Sequence, residues 1–282
     1  MDITIDPASL RHKLQAVVGE RNPFTAPAHL ARVESYIERE FARYGLAVES
    51  DWFSYRGENF RNVIGKLERR RDAPLFIVGA HFDAVPGTPG ADDNGSGVAV
   101  LLETARIVAR ARVRSNVFFC AFNLEELNMI GSAHYAKKLK AAGARLQGMI
   151  SLEMLGYADA RPGTQRYPFS LKWFYPDRGD FIGVIGNWSS KALLEQFARQ
   201  MRGARGLPVE TLSLPGTGGL IPEVRLSDHS PFWDEGFPAL MITDTAFLRN
   251  PHYHRPTDTI ETLDLDFMSK VCEGVIRGVL SF

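Results

Sequence analysis

Histidine and acidic residues follow an apolar run of this chain at a spacing suited to metal binding. His81 and Asp83 come directly after segment 75–80, and Asp92 and Asp93 stand in the glycine-rich turn that follows. Segment 75–80 predicts a short buried strand, and ligands of open α/β sheets bind just beyond the carboxyl ends of such strands. Imidazole and carboxylate together suit zinc, whereas an all-oxygen set would favour magnesium or calcium. The stretch therefore predicts part of a metal site.

Further histidine and acidic residues stand where other predicted strands end. They are Glu125 and Glu126 after 116–122, Glu153 at the end of 147–153, and His252 and His254 after 239–243. One such residue alone is more often solvated or hydrogen-bonded than a ligand. Several at successive strand ends predict one metal centre, in which a shared carboxylate could hold two ions roughly 3.5–4 Å apart.

The elements that must position these residues alternate along the chain. Helices are predicted at 25–44, 97–110, 131–142, 190–202 and 263–280, and strands at 46–55, 62–67, 75–80, 116–122, 147–153, 181–186 and 239–243. This alternation favours a mixed sheet with a parallel centre, antiparallel strands at one edge and helices on both faces. We therefore predict an α/β fold, a three-layer α/β/α sandwich, and a single domain over residues 1–282.

Composition argues against several classes of partner. Lys+Arg and Asp+Glu both count 33, and no basic stripe predicts nucleic-acid binding. No apolar run approaches the ~20 residues that cross a bilayer, so no membrane association is expected. The first residues carry acids where a secretory signal has a basic start, which predicts a cytoplasmic protein unless a leader has been trimmed. Cys120 and Cys272 are expected to be small buried hydrophobes rather than a disulfide or ligands.

Two stretches do not fit the alternation of strands and helices. Segment 157–180 is rich in Arg, Pro, Gly and aromatic residues, and segment 214–227 is rich in Gly and Pro. Long irregular loops in compact domains are often functional, so both could form walls of a substrate pocket. A surface insertion is an equally good interpretation of each.

Taken together, the motifs resemble those of the co-catalytic zinc exopeptidases, which include bacterial aminopeptidases, glutamate carboxypeptidases and glutaminyl cyclases. The family pattern is His-x-Asp, Asp-x-x-Ser-Gly, Glu-Glu, an acid after a strand, and Tyr-His-x-Pro-x-Asp-Thr. Here the pattern stands as His81-Phe-Asp83, Asp93-Asn-Gly-Ser-Gly97, Glu125-Glu126, Glu153, and Tyr253-His-Arg-Pro-Thr-Asp-Thr259. The resemblance covers most of the chain, from about His81 to Asp264.

The resemblance implies two zinc ions per chain. Matched residue by residue, the ligands of one ion would be His81, Asp93 and Glu153, and those of the other Asp93, Glu126 and His254. Asp93 rather than Asp92 corresponds to the bridging acid, because the family's bridge stands three residues before the Ser-Gly pair. His254 is selected over His252 in the same way.

The implied reaction is hydrolysis of the N-terminal peptide bond of small peptides by a metal-bridging water. Glu125 would take the proton of that water and return it to the leaving amine. Tyr253 could donate a hydrogen bond to the developing oxyanion, or it could be a packed aromatic. Asp83 is placed to accept the ring N–H of His81 and so to orient that ligand.

Three further residues are candidates for the substrate pocket. Asp228 and His229 stand in a Ser-Asp-His segment that the resemblance places near the site, and we expect them to line the pocket. Arg249 precedes His254 by five residues and could receive a substrate carboxylate. A structural salt bridge is an equal alternative for Arg249.

Two departures from the family pattern bear on the type of reaction. The free-amine aminopeptidases usually have Asp at the position of Glu153, and Gly is common at that of Asn128. In those aminopeptidases the acid at this position also helps to receive the substrate's amino group. Carboxypeptidase and glutaminyl cyclase activities therefore stay open beside the leading hypothesis of an aminopeptidase. A non-enzymatic binding module is a third hypothesis, against which the intact Glu125 argues.

Overall fold

The computed structural model describes residues 3–282, apart from the side chains of residues 169 and 170. Its strands are β1 Ala47–Tyr55, β2 Glu58–Leu67, β3 Leu75–His81, β4 Asn116–Phe122, β5 Leu146–Glu153, β6 Ile182–Asn187, β7 Val209–Leu214 and β8 Ala239–Thr243. Its α-helices are α1 Pro7–Val17, α2 Pro27–Arg43, α3 Gly97–Val108, α4 Ile130–Ala141, α5 Lys191–Met201, α6 His229–Asp234 and α7 Leu265–Leu280.

These strands form one mixed sheet in the order β1-β2-β4-β3-β5-β8-β6-β7. Strands β4, β3, β5 and β8 are parallel neighbours, whereas β1 and β2 form an antiparallel edge. At the other edge β6 runs antiparallel to β8 and pairs in parallel with β7. The predicted centrally parallel sheet is confirmed, with the antiparallel strands divided between both edges.

Two layers of helices cover the two faces of the sheet. Buried apolar residues of α1, α2, α3, α5 and α7 pack on one face, and those of α4 and α6 pack on the other. This is the predicted α/β/α sandwich. Within residues 3–282, no helix combines the length and the apolar character needed to cross a bilayer.

Helices α1 and α6 and strand β7 were not predicted. The start of α1 nevertheless carries two ordinary signals, because the Asp6 side chain accepts a hydrogen bond from the Ala8 amide and Pro7 opens the first turn. Helix α6 has only six residues, too few for a helical period to be recognised. Strand β7 lies at the edge and is half-buried along most of its length, so its pattern is weak.

The first hairpin is tighter than predicted. Strand β2 begins at Glu58 rather than at residue 62, and only Arg56 and Gly57 separate it from β1. Both residues have positive φ, at 50° and 84°, as a two-residue hairpin turn of the primed type requires. Strand pairing therefore includes Glu58 and Asn59, polar residues that the sequence pattern assigned to a turn.

Candidate metal centre

The predicted ligands come together at the carboxyl ends of the central strands. His81 is the last residue of β3, Glu153 is the last residue of β5, and the Glu125–Glu126 pair follows β4. His254 lies in the turn-rich segment after β8. Because β4, β3, β5 and β8 are parallel neighbours, these separate segments meet at one edge of the sheet.

Two groups of possible ligand atoms share Asp93. In the first group, His81 Nε2 lies 3.4 Å from Asp93 Oδ1 and 3.6 Å from Glu153 Oε1. In the second, His254 Nε2 lies 3.0 Å from Asp93 Oδ2 and 3.4 Å from Glu126 Oε2. In each group the candidate ligand atoms lie within 4.8 Å of one another. The two oxygens of Asp93 therefore face different histidines.

The residue types of these groups, and a buried carboxylate oxygen without a hydrogen-bond partner, fit the binding of divalent cations. Two histidines and three carboxylates make up the combined set, which is the ligand chemistry of zinc. Glu126 Oε1 is buried and has no hydrogen-bond partner among the described residues. A buried carboxylate oxygen without a partner is costly, so a cation would satisfy this atom.

The carboxylates in these groups repel one another in the absence of metal. Burial, together with the charge of Asp93, raises the pKa of Glu126 to about 7. Burial lowers the pKa of the His254 imidazole, but hydrogen bonds to Asp93 and Glu126 outweigh it and raise the value to about 10. Cations bound among these carboxylates would relieve their mutual repulsion.

Glu125 lies beside the ligand groups and belongs to neither. Its Oε2 is 3.8 Å from His81 Nε2. Burial raises the pKa of Glu125 well above its ordinary value, and the nearby charges of Glu153 and Glu126 add to the effect. A carboxyl group in such surroundings can hold a proton near neutral pH, as a general acid–base residue must.

Asp83 positions the Glu125–Glu126 pair. Its two carboxylate oxygens accept hydrogen bonds from the backbone amides of Glu125 and Glu126, each at 3.1 Å. The Nδ1 atom of His81 is 3.5 Å from Asp83 Oδ1 and 3.3 Å from the Asp83 carbonyl oxygen. Asp83 therefore contacts the predicted general base and one predicted ligand of each group, His81 and Glu126.

Asp258 supports the turn that contains Asp93. Its carboxylate oxygens accept hydrogen bonds from the amides of Asp92 and Asp93, at 2.9 and 3.1 Å. Asp92 itself accepts hydrogen bonds from the Gly156 amide and the Asn250 side chain. Asp258 stands in the same motif as His254 but was not among the predicted site residues.

Asn94 and Ser96 tie the same turn to the end of β5. The Asn94 side chain donates to the Leu152 carbonyl at 2.8 Å and accepts from the Met154 amide at 3.1 Å. Ser96 Oγ accepts from the Leu155 amide at 2.8 Å. These bonds fix the position of Asp93 relative to Glu153.

Arg21 is a fully buried arginine beneath this region, and no sequence pattern predicted a role for it. Its guanidinium donates five hydrogen bonds of 2.7–3.1 Å, all to backbone carbonyls, those of Val17, Gly19, Phe82, Pro89 and Gly90. Among the carboxylates, Asp93 and Asp258 interact most strongly with its charge. Arg21 therefore joins the end of β3 to the turn that carries Asp93.

Ser227 fixes the second oxygen of Glu153. Its hydroxyl donates to Glu153 Oε2 at 2.7 Å and lies 2.7 Å from Ser151 Oγ, two residues back along β5. One oxygen of Glu153 thus faces His81 while the other is held by the Ser-Asp-His segment. Ser227 could have been identified from the sequence by its place beside Asp228 in that segment.

Backbone conformation is unusual at several residues of the site. Leu124, Met154 and His254 have positive φ, at 59°, 47° and 55°. Non-glycine residues rarely adopt this conformation, and such residues cluster at functional sites. Asn128 also has positive φ, at 78°, a conformation that Asn tolerates better than most residues. The departure from Gly at this position is therefore compatible with the turn.

Tyr253 lies between the metal centre and an adjacent cavity. Its ring stacks on that of His254, with centroids 3.8 Å apart, and contacts Phe247 at 5.5 Å. Burial raises the pKa of the Tyr253 hydroxyl above its ordinary value. The side chain therefore combines a packed ring with a protonated hydroxyl.

Asp228 and His229 are fully buried, and neither lines this cavity. Both carboxylate oxygens of Asp228 lack a geometrically acceptable hydrogen bond among the described residues, and burial raises its pKa to about 7. His229 Nε2 faces the Val224 carbonyl at 2.8 Å, and its ring packs edge-on against Trp233. Burial lowers the pKa of His229 to about 3, so this histidine is neutral.

Arg249 is buried under the aromatic segment 157–180 rather than in the cavity. It donates to the Gln165 side chain at 2.8 Å and to the Tyr157 carbonyl at 3.3 Å. Its guanidinium lies 4.6 Å from the ring centroid of Phe181. These contacts hold the segment in place through hydrogen bonds and the Phe181 ring, and the described residues include no ion pair of Arg249.

The adjacent cavity opens beside Glu153 and Tyr253 and encloses about 880 Å³, including its part open to solvent. Both irregular stretches contribute to its walls, with Tyr167 and Tyr175 from one and Ile221 from the other. Most of the lining is apolar, as in sites for small molecules. The described residues that line it include no Lys, Arg or His.

A parallel-centred α/β sheet with histidine–carboxylate groups at its strand ends is typical of a metallopeptidase. The sequence profile of peptidase family M28 matches residues 62–279, so the chain belongs to this family. The predicted family and the enzyme class, a hydrolase of peptide bonds, are confirmed.

Two curated relatives illustrate the sequence similarity. The chain is 38% identical to the uncharacterized protein YfbL of Escherichia coli, over 88% of this chain and 79% of that protein. It is 27% identical to aminopeptidase YwaD of Bacillus subtilis, over 80% of this chain and 45% of that protein. The chain therefore spans less than half the length of the named aminopeptidase.

Two solved structures illustrate the similarity in fold. BSAP, a zinc aminopeptidase from Bacillus subtilis, is 26% identical, with a TM-score of 0.62 over 80% of this chain and 51% of that one. The glutaminyl cyclase of Tannerella forsythia is 20% identical, with a TM-score of 0.72 over 99% of this chain and 100% of that one. The second likeness concerns the fold alone.

Proposed function

We propose that this protein is a two-zinc aminopeptidase that removes the N-terminal residue of small peptides. The observation that carries the proposal is the pair of ligand groups that share Asp93, whose two oxygens face His81 and His254 at 3.4 and 3.0 Å. His81, Asp93 and Glu153 would hold one ion, and Asp93, Glu126 and His254 the other. The named zinc aminopeptidase among its relatives supports the choice of metal and reaction.

Zinc, when bound, supplies a Lewis acid that polarises the scissile carbonyl and lowers the pKa of water. Glu125 is the residue that moves protons. Because Glu125 lies beside the ligand groups and belongs to neither, it would take a proton from the attacking water and return it to the leaving amine. Asp83 holds Glu125 in place through its backbone amide, and Tyr253 would offer its hydroxyl to the developing oxyanion.

The cavity determines which end of a peptide can be accommodated. Glu153 and Tyr253 line its mouth, so the side chain of a terminal residue bound at the metal centre would enter it. The described lining includes no cation that could receive a substrate carboxylate, and Arg249 does not belong to that lining. These features favour recognition of a free amino terminus over a free carboxyl terminus.

The proposal is tested by zinc content and hydrolysis of aminoacyl anilides. We expect two zinc ions per chain, activity that a chelator abolishes, and recovery on addition of zinc. Glu125→Gln should lower kcat by about 10²–10⁴-fold while zinc content stays unchanged. Glu68→Gln, at an exposed position outside the site, is the charge-matched control. A zinc-saturated protein that is inert on every peptide and anilide would disprove the proposal.

One feature supports glutaminyl cyclisation as a second candidate. The group of Asp93, Glu126 and His254 is complete without His81 and could hold a single ion. Release of ammonia from an N-terminal glutaminyl substrate, with one zinc per chain and with His81→Ala retaining activity, would favour the cyclase. Two zinc ions and loss of anilide hydrolysis in His81→Ala would favour the aminopeptidase.

A further inference from the structure

A row of paired residues leads from the metal centre to the far end of the cavity. Glu153 on β5 pairs with Thr243 on β8, Thr243 pairs with Gly183 on β6, and Gly183 pairs with Glu210 on β7. Side chains of directly paired residues lie on the same face of a sheet. All four residues also line the cavity.

A long substrate side chain and the Glu210 side chain would together span this row. Four adjacent strands are separated by three spacings of ~4.8 Å, or ~14 Å in total. Gly183 has no side chain and Thr243 a small one, so the floor between Glu153 and Glu210 is open. Met241, Ile185 and Leu212 add apolar surface along it. An extended aliphatic stem would bury its methylene groups there.

Besides Glu153, two carboxylates stand in this largely apolar lining. Glu210 ends the row, and Glu223 comes from the wall formed by segment 214–227. Glu223 Oε2 is buried and has no hydrogen-bond partner among the described residues. A buried carboxylate oxygen is stabilised by a hydrogen-bonding cation, and the described lining includes no Lys, Arg or His to provide one.

Two tyrosines lie next to Glu210 and add a surface that attracts cations. The rings of Tyr167 and Tyr175 stack with centroids 5.8 Å apart. Their hydroxyls donate to the carbonyls of Pro176 and Thr211, and Thr211 is the neighbour of Glu210 on β7. Aromatic faces beside a carboxylate are suited to a guanidinium or ammonium group.

We propose that this cavity selects substrates whose N-terminal residue is arginine or lysine. The stem of such a side chain would lie along the floor, and its cationic head would reach Glu210 and Glu223 beside the tyrosine pair. This inference rests on the proposed aminopeptidase function and specifies its substrate class.

The test compares charged substrates with neutral ones of nearly the same shape. Arginine and citrulline anilides form one pair, and lysine and norleucine anilides form the other. Because hydrogen bonds to charged groups contribute about 1.5–3 kcal/mol, we expect kcat/KM to favour arginine over citrulline by about 10–100-fold. Glu210→Gln and Glu223→Gln should each reduce this ratio, and the double variant should bring it close to one.

Two controls separate a change in selectivity from a general loss. Leucine anilide should still be hydrolysed by these variants, which shows that they are folded and hold zinc. Glu68→Gln changes the net charge equally at an exposed position and should leave the arginine/citrulline ratio unaltered. Equal hydrolysis of both anilides by the unmodified protein, or a ratio that survives in the double variant, would overturn the inference.

Failure of the proposed function would be recognised separately. A zinc-loaded protein that hydrolyses no anilide contradicts the aminopeptidase, whatever the cavity binds. Calorimetric titration with L-argininamide and L-citrullinamide then tests the cavity directly. Binding of argininamide that weakens in Glu210→Gln supports the cationic subsite, and equal affinity for the two amides contradicts it.

Discussion

The metal centre and the cavity beside it are built in different ways. Around the metal centre, side-chain carboxylates and amides bind backbone amides and carbonyls of the ligand-bearing segments, as Asp83, Asn94 and Asp258 do. Around the cavity, the walls come from two long irregular stretches, and Tyr175 in one of them contacts the sheet through a hydrogen bond to the Thr211 carbonyl. Ser227, at the end of the other stretch, belongs instead to the metal centre, where it holds Glu153.

This difference separates the requirements of catalysis from those of selectivity. Ligands and a general base must be held within a fraction of an ångström, which a dense buried hydrogen-bond network achieves. A wall that contacts only a substrate side chain can change without disturbing that network. We therefore expect substitutions near the metal centre to affect stability and metal binding, and those in the cavity to affect substrate choice.

The largest effect is expected from Arg21→Met, which removes five hydrogen bonds and leaves buried carbonyls without partners. Each unsatisfied buried group costs about 1–3 kcal/mol, so the free energy of unfolding should fall by roughly 3 kcal/mol or more. Denaturant unfolding measures this, with the exposed Arg32→Met on α2 as the matched control. Similar stability of the two variants would show that Arg21 does not hold the metal centre together.

A smaller effect is expected from Asp258→Asn. The side-chain amide keeps the shape of the carboxylate, but only one of its two terminal atoms can accept a hydrogen bond from the backbone amides of Asp92 and Asp93. Residues that orient metal ligands typically change affinity or activity by about 10–100-fold when altered. Competition with a chelator should reveal a loss of zinc affinity in this range. Asp266→Asn, at an exposed position on α7, should bind zinc as the unmodified protein does.

The smallest effect is expected from Tyr175→Phe, which removes the 2.8 Å hydrogen bond to the Thr211 carbonyl and keeps the ring. One such bond contributes about 0.5–1.5 kcal/mol, and the zinc content should stay unchanged. Any change should appear in the arginine/citrulline ratio and in thermal unfolding. A loss of zinc in this variant would contradict the separation of the two regions.

Much of the metal centre could be predicted because its motifs are local. His81 and Asp83 lie within three residues, Glu125 and Glu126 are adjacent, and each group follows a strongly apolar strand. Strand ends in a parallel-centred sheet meet at one edge, so the proximity of the ligand types followed from the order of the elements.

The supporting residues were harder to predict because their partners are distant in sequence. Arg21 acts through carbonyls up to 69 residues away, and Asp258 through amides 165 and 166 residues away. Neither interaction produces a periodic pattern or a change in composition. Arg249 illustrates the same limit, since only its contacts with Gln165 and Tyr157 distinguish a structural role from substrate binding.

The sequence by itself thus determined the class of fold, the family and the candidate ligand types, because apolar periodicity and short motifs are properties of neighbouring residues. Tertiary structure alone decided that Asp258 and Arg21 support the turn that carries Asp93 and that Glu153, Thr243, Gly183 and Glu210 form one row. Strand register and loop packing create these relations, and both depend on contacts between segments that are far apart in the chain.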